Sequence, residues 1–267
     1  MLKLEIDNAH PRDADIVFEE KEHKYYLRGK QVGTSVTSLI HAFAPPFDAE
    51  KMAEKIACKK CSLQSRKKYE NMTKEMILEK WKADGESSSS LGTALHRDIE
   101  LYFNGVPNNN CSVEYSYFES FLKSGLLEHL TPYRTEWSVY DEELDLAGQI
   151  DMLFHDSSSD SFVIYDWKRS KEISFANKFK DDRYLYEPLG NLENCNFSTY
   201  SLQLNIYRYM LQKNYGITVS GMYLLILHPN YSEYFRIQVP VLEEEIGKMV
   251  DWRKKEIEEK KHSEFKL

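Results

Sequence analysis

Apolar and polar positions follow two different rhythms along the chain. Residues 16–34 contain two short β-rich runs around a charged turn, which predicts a hairpin. From residue 34 to about 130, apolar residues recur three and four positions apart, the spacing of amphipathic helices. Between about 133 and 168 they alternate with polar residues and are separated by turn residues. This alternation predicts three consecutive antiparallel strands.

The helical part divides into several predicted helices, which cover 34–43, 47–60, 72–83, 91–105 and 112–130. Pro45 and Pro46 would stop the first of them. The polar run 84–90 (DGESSSS) is expected to be a loop that ends the third helix. Asn104-Gly105 is a typical helix C-terminus.

The remainder of the chain predicts further helices and strands around an irregular stretch at 172–197. Residues 197–216 predict a helix that stops at a glycine, 219–229 and 234–240 predict two more strands, and 241–261 predict a charged terminal helix. Strands and helices in this order predict an α/β fold with a central mixed β-sheet flanked by helices.

The length of 267 residues favours a single domain. Within it we expect an N-terminal hairpin and helical region over 1–90, a core over 91–240 and a C-terminal helix over 241–267.

Composition and charge narrow the class of protein. The chain is 42% hydrophobic, 13% aromatic and 29% charged, as is ordinary for a soluble globular protein. Its net charge of −8 argues against a protein that coats nucleic acid non-specifically, although a local basic patch could still bind nucleic acid. No apolar run reaches the roughly 18 residues of a membrane helix, and the first residues lack a signal-peptide pattern. Four scattered cysteines are too few for a disulfide scaffold, so we expect an intracellular location.

Two of the three alternating strands carry acidic residues where apolar ones are expected. Asp151 interrupts the second of the three strands, and the third strand ends in Asp166, Trp167 and Lys168. Buried carboxylates are costly unless they are paired or bind a metal. On adjacent strands they could share Mg²⁺ or Mn²⁺, and Lys168, on the same face as Asp166, could orient water. A simple salt bridge between Asp166 and Lys168 is the alternative.

Two helices add polar pairs at helical spacing. His96 and Glu100 lie four residues apart and so share a face of the helix over 91–105, as do Gln203 and Tyr207 in the later helix. A structural or surface role for His96 is the alternative.

In chain order these residues form the motifs G-T-x-L-H-x-x-x-E, G-x-I-D, apolar-D-W-K and Q-x-x-x-Y between about 91 and 211. The set resembles the PD-(D/E)XK nuclease superfamily, whose core is restriction-endonuclease-like, and more specifically its RecB-like exonuclease branch, to which lambda exonuclease is a more distant relative. The matching residues are Gly92, His96, Glu100, Gly148, Asp151, Asp166, Lys168, Gln203 and Tyr207.

The resemblance implies a metal centre. Asp151 and Asp166 would be ligands of one or two Mg²⁺ or Mn²⁺ ions, together with the backbone carbonyl of Trp167, and His96 would be a further ligand. Glu100 would support a second ion or hold His96.

The resemblance also implies the other catalytic roles. Lys168 would position the attacking water, and Gln203 and Tyr207 would contact the catalytic strand or the DNA backbone. Glu136, on the preceding strand, is a further candidate acid or a solvated carboxylate. The reaction would be phosphodiester hydrolysis, most simply by a single-stranded DNA exonuclease in replication, recombination or repair. An endonuclease of the same superfamily, a DNA-binding scaffold and a Ca²⁺-binding protein are the alternatives.

Two segments are candidates for binding DNA. Residues 51–70 carry seven basic and two acidic side chains, and the segment after Lys168 interleaves cations with rings, as suits a single strand. The candidate cations are Lys59, Lys60, Lys67, Lys68, Arg169, Lys171, Lys178, Lys180 and Arg183, and the rings are Phe175, Phe179, Tyr184 and Tyr186. A solvated helix face and a mobile surface loop are the alternatives. Cys58 and Cys61 lack a partner pair, so we expect neither an iron–sulfur cluster nor a structural zinc.

Overall fold

The computed structural model describes residues 1–177 and 183–264. The chain divides into two compact units, one formed by Met1–Pro45 with His96–Leu267 and the other by Pro46–Leu95. The boundaries expected near residues 90 and 240 remain predictions.

Helices and strands alternate along the described residues. The helices are α1 (Lys3–Asp7), α2 (Val36–His41), α3 (Ala49–Ala57), α4 (Leu63–Lys68), α5 (Lys74–Phe103), α6 (Val113–Leu122), α7 (Asn196–Asn214) and α8 (Glu243–Glu264). The strands are β1 (Ile16–Glu19), β2 (Lys24–Leu27), β3 (Lys30–Gln31), β4 (Thr34–Ser35), β5 (Leu130–Asp141), β6 (Leu146–Asp156), β7 (Ser161–Lys168), β8 (Val219–Ile226) and β9 (Phe235–Gln238). In the described residues no helix has the length and apolar character to cross a membrane.

The main sheet is mixed, as predicted. Its order is β4-β6-β7-β8-β9, with β5 also paired to β6. The consecutive strands β5, β6 and β7 pair antiparallel, whereas β7 and β8 pair parallel because α7 crosses between them. The predicted hairpin is present as β1 and β2, extended by β3 into a small separate sheet.

Helices cover both faces of the main sheet. On one face α2, α7 and α8 bury an aliphatic core against β6, β7 and β8, with residues such as Leu202, Ile164 and Leu224 fully enclosed. On the other face the end of α5 and α6 bury aromatic rings, among them Phe118 and Trp167. The ends of β6 and β7 therefore lie between these two helical layers.

The predicted loop over 84–90 is wrong, because α5 runs without a break through this segment. Serine costs a helix only a few tenths of a kcal/mol and glycine about 1 kcal/mol, and no proline interrupts the run. The apolar turns on both sides of it therefore continue as one helix of 30 residues.

The predicted helix over 112–130 is too long. The helix α6 ends at Leu122, and Gly125 adopts a left-handed φ of 79°, which turns the chain. The strand β5 then begins at Leu130, three residues before its predicted start.

Candidate active site

Asp151 and Asp166 lie where β6 and β7 separate. The last paired residues of the two strands are Met152 and Tyr165, and each aspartate is the next residue beyond them. Asp151 Oδ2 accepts a hydrogen bond of 2.9 Å from the backbone N–H of Trp167. The carboxylate therefore takes the place of a backbone partner at the point where the ladder ends.

Asp166 and Lys168 share the face of β7 that is covered by α7. Lys168 Nζ donates to Asp166 Oδ1 at 3.0 Å and to Gln203 Oε1 at 3.2 Å. Asp166 Oδ2 lies 2.8 Å from the same nitrogen but, among the described residues, this buried atom has no hydrogen-bond partner. Burial raises the pKa of Asp166 to about 6, against the attraction of the Lys168 ammonium.

His96, from α5, lies beside these carboxylates. Its Nε2 is 2.8 Å from the carbonyl oxygen of Trp167, and its Nδ1 is 3.5 Å from both Asp151 Oδ2 and Glu136 Oε1. Burial alone would lower the pKa of His96, but the charges of Asp151 and Glu136 outweigh it and raise the pKa to about 9. Burial raises the pKa of Asp151 as well, although His96 opposes the shift.

Glu136 reaches the site through an irregularity of β5. The pairs Thr135–Met152 and Trp137–Ile150 flank it, so Glu136 lies across from Asp151. Its φ of 44° is left-handed, which a non-glycine residue rarely adopts. The side-chain amide of Gln149 donates to the Glu136 carbonyl at 2.9 Å and holds this turn of the backbone.

Gln203 and Tyr207 connect α7 to both strands. The Gln203 amide donates to Tyr207 Oη at 3.2 Å while its carbonyl accepts from Lys168. The Tyr207 ring lies against Gly148, where an added Cβ would be 2.7 Å from Tyr207 Cε1 and 2.8 Å from Val36 Cγ2. The glycine of the G-x-I-D motif is therefore required for the close approach of Tyr207 to β6.

The donor set suits a hard divalent cation. One ligand atom from each of His96, Glu136 and Asp151 lies within 4.8 Å of the other two. Carboxylate oxygens with an imidazole are ligands that Mg²⁺ and Mn²⁺ accept. Asp166 Oδ2, which accepts no hydrogen bond from the described residues, and the Trp167 carbonyl add oxygen donors beside them.

Glu100 is not brought to this cluster in the way that the motif suggests. The Glu100 carboxylate accepts a hydrogen bond of 2.7 Å from Arg97, on its own helix, and lies outside the close His96–Glu136–Asp151 group. A Cβ added at Gly92 would meet no described atom within 4 Å. A metal role for Glu100 remains a prediction.

The candidate DNA-binding cations after β7 differ in their exposure and in their ion pairs. Arg169 is nearly buried, and its Nε donates to Glu114 at 2.6 Å. Arg183 pairs with Glu193 at 2.9 Å but leaves half of its side chain exposed, and Lys171 is exposed. Lys178, Phe179 and Lys180 lie outside the described residues.

The four candidate lysines of the earlier segment belong to the Pro46–Leu95 unit. Lys59, Lys60, Lys67 and Lys68 are all exposed, two after α3 and two in α4. Cys58 and Cys61 are free thiols.

One neighbour of the site was missed by the sequence reasoning. The ring of Tyr200 lies 4.7 Å from Lys168 Nζ. Its position three residues before Gln203, on the same face of α7, was the available signal.

A sequence model of the PD-(D/E)XK nuclease superfamily matches residues 38–266. The chain belongs to the PD-(D/E)XK nuclease superfamily. This match confirms the superfamily predicted from the four motifs, and the mixed sheet flanked by helices is consistent with the PD-(D/E)XK core. PD-(D/E)XK nucleases use divalent metals, and membership implies DNA as the substrate.

Solved structures and curated proteins add little detail beyond the superfamily. The chain matches 19 chains of solved structures. Among them is the crystal structure of SSO0001, with 15% identity and a TM-score of 0.30 over 94% of this chain and 80% of that chain. No curated protein matches the chain.

Proposed function

We propose that the chain is a divalent-cation-dependent deoxyribonuclease of the RecB-like branch that shortens single-stranded DNA from an end. The observation that carries the proposal is the grouping of Asp151, Asp166 and Lys168 at the ends of two strands, with His96 beside them. Replication, recombination or repair would supply such ends.

Each of these residues has a distinct task in the proposed reaction. His96, Glu136, Asp151, Asp166 and the carbonyl of Trp167 would hold the cation. A bound divalent cation activates water and neutralises charge that develops on the phosphate. Removal of the cation should therefore abolish cleavage.

Lys168, at the end of β7, points towards α7. Its ammonium is held between Asp166 and Gln203, and from there it orients the attacking water and stabilises the developing negative charge. Gln203 in turn donates to the buried Tyr207, so the ammonium is positioned by a helix rather than by a loop.

The finer assignment rests on residues around this centre. His96 on a helix, with the Gln203 and Tyr207 pair, supports the RecB-like exonuclease branch. Arg183 Cζ lies 5.3 Å from the centre of the Tyr184 ring, Tyr184 and Tyr186 are 46% and 50% exposed, and Lys171 is exposed as well. This mixture of rings and cations suits a single strand. The exposed lysines of α4 would add contacts with phosphates.

The test uses linear single strands labelled at either end, their duplex and a circular single strand, with Mg²⁺, Mn²⁺ or EDTA. We expect metal-dependent shortening of the linear strand, with the circle intact. Lys168→Ala should be inactive, whereas Lys248→Ala, which removes a surface lysine paired with Glu244, should be as active as wild type.

Other outcomes would assign the chain differently. Cutting of the circle would favour an endonuclease of the same superfamily. Binding of DNA without cleavage in any cation would favour a scaffold. Full activity of Lys168→Ala would contradict the assigned site.

A further inference from the structure

A stripe of aromatic side chains leads away from Lys168 along α7. Tyr200 and Phe197 continue the helix face that carries Gln203 and Tyr207, because residues three or four positions apart share a face. The Tyr200 ring lies 4.7 Å from Lys168 Nζ. The stripe therefore starts at the ammonium that, in the proposed function, stabilises the negative charge developing on the phosphate.

The chain after β7 adds a third ring to this stripe. The backbone N–H of Ser174 donates to Asn196 Oδ1 at 2.8 Å, and the Asn196 amide donates to the Glu172 carbonyl at 2.7 Å. These bonds tie the segment to the start of α7. They place the Phe175 ring 4.6 Å from the Phe197 ring, with Phe175 still 60% exposed.

An exposed phenylalanine that is held in place, in a segment that also carries cations, suits the stacking of nucleobases. Stacking on an aromatic side chain needs only the flat face of a base, and nearby lysine and arginine residues follow the phosphates. The exposed Lys171 and the half-exposed Arg183 belong to the same segment as Phe175.

We infer that Phe175, Phe197 and Tyr200, the aromatic stripe, stack the unpaired bases next to the phosphate held at Lys168. This inference rests on the proposed function and narrows its substrate to DNA whose bases are unpaired near the cleaved bond. Bases in a duplex are stacked on their neighbours, so they cannot offer their faces to these rings.

The test measures binding in EDTA, where no cleavage is expected, by the fluorescence anisotropy of a labelled single strand. A strand of the same length with stable abasic sites throughout keeps the phosphates and removes the bases. Phe175→Ala is compared with Phe235→Ala, which removes a ring that is 43% exposed on the edge strand β9. Circular dichroism checks that both variants are folded.

We expect Phe175→Ala to weaken binding of the normal strand about tenfold, which corresponds to about 1.4 kcal/mol, while Phe235→Ala binds as wild type. The abasic strand should bind wild type more weakly, and Phe175→Ala should bring no further loss on it. Unchanged binding of the normal strand by Phe175→Ala, or an equal loss on the abasic strand, would overturn the inference.

The cleavage assay separates this inference from the proposed function. If cleavage depends on metal and on Lys168 while binding does not respond to Phe175, the nuclease assignment stands and the aromatic stripe is excluded. If wild type neither binds nor cleaves DNA, both are excluded.

Discussion

At the scale of single residues, Glu136 has a strained backbone conformation beside the candidate active site. A left-handed φ in a non-glycine residue costs on the order of 1–3 kcal/mol, and Glu136 has a φ of 44°. The pairs on both sides of it are kept, so the surrounding strand holds the residue in this conformation. Its carboxylate thereby lies 3.5 Å from His96 Nδ1.

Two substitutions at Glu136 separate its backbone from its carboxylate. We expect Glu136→Gly to be more stable than Glu136→Ala by about 1 kcal/mol, because glycine adopts positive φ without strain. Both variants should lose Mn²⁺ affinity to a similar extent, because both lack the carboxylate. Urea denaturation and calorimetric titration measure the two effects, and equal stabilities would contradict the strain.

Gly148 and Gly92 come from the same motif set but differ in their surroundings. Gly148→Ala should destabilise the protein by roughly 1–3 kcal/mol, because the added methyl overlaps Tyr207 and Val36. Gly92→Ala should stabilise it by up to about 1 kcal/mol, because it improves an open helical position. Urea denaturation of both variants is the measurement, and similar effects would contradict the assigned role of Gly148.

The sequence predicted those residue contacts that follow from a fixed period. Asp166 and Lys168 share a face because strand side chains alternate, and Gln203 and Tyr207 share one because they are four apart on a helix. The approach of Glu136 to Asp151 depends on pairing between strands and on one unusual φ, which no local pattern encodes. Glu100 has the right spacing from His96, but its carboxylate bonds to Arg97, and the choice between partners depends on three-dimensional packing.

At the scale of elements, α5 is where local propensity misled the prediction. Apart from Glu86, the run DGESSSS consists of weak helix formers, yet it lies inside one long helix. Propensity differences of a few tenths of a kcal/mol per residue are easily exceeded by the turns on either side.

Proline substitution tests whether α5 is continuous. Ser89→Pro should cost about 3 kcal/mol and reduce the helical circular dichroism signal, because proline removes a backbone hydrogen bond and clashes with the preceding turn. Gly85→Ala, at an open position of the same helix, should be neutral or stabilising. If Ser89→Pro were tolerated without loss of helix, the segment would be a loop.

The segment before β1, which contains Asp13, has no periodic pattern in the sequence that would predict its structure. Asp13 accepts hydrogen bonds from Arg134 at 2.6 Å, from Trp137 Nε1 at 2.8 Å and from the N–H of His10 at 2.9 Å. Burial alone would raise the pKa of Asp13, but these donors lower it. The segment is therefore fixed to β5 by an ionised carboxylate.

We expect Asp13→Asn to lower the free energy of unfolding by about 1–3 kcal/mol at pH 7, because a hydrogen-bonded charge is lost. The carboxylate stabilises the fold fully above its ordinary pKa of 3.8, and this stability is lost as the pH falls through the lower pKa of the folded state. Urea denaturation at several pH values should show the difference from wild type narrowing below about pH 3.8. A difference that does not change with pH would contradict this role.

At the scale of the whole molecule, the cation should couple the site to stability. The carboxylates of Glu136, Asp151 and Asp166 come from β5, β6 and β7, and His96 comes from α5, so no single element forms the site. Unfolding separates these donors, and a cation that binds only the folded state stabilises it by mass action. At a concentration a hundredfold above Kd this stabilisation is about 2.7 kcal/mol.

Thermal unfolding with and without Mn²⁺ measures this coupling directly. The melting temperature of wild type should rise by roughly 5–10 °C at saturating Mn²⁺ and return to its starting value in EDTA. Asp151→Asn should abolish most of the rise, because it replaces a carboxylate that faces both His96 and Glu136. Glu100→Gln should retain the rise, since Glu100 bonds to Arg97 outside the close donor group. A shift that survived Asp151→Asn but disappeared in Glu100→Gln would place the ion one helical turn away from His96 and contradict the assigned donor set.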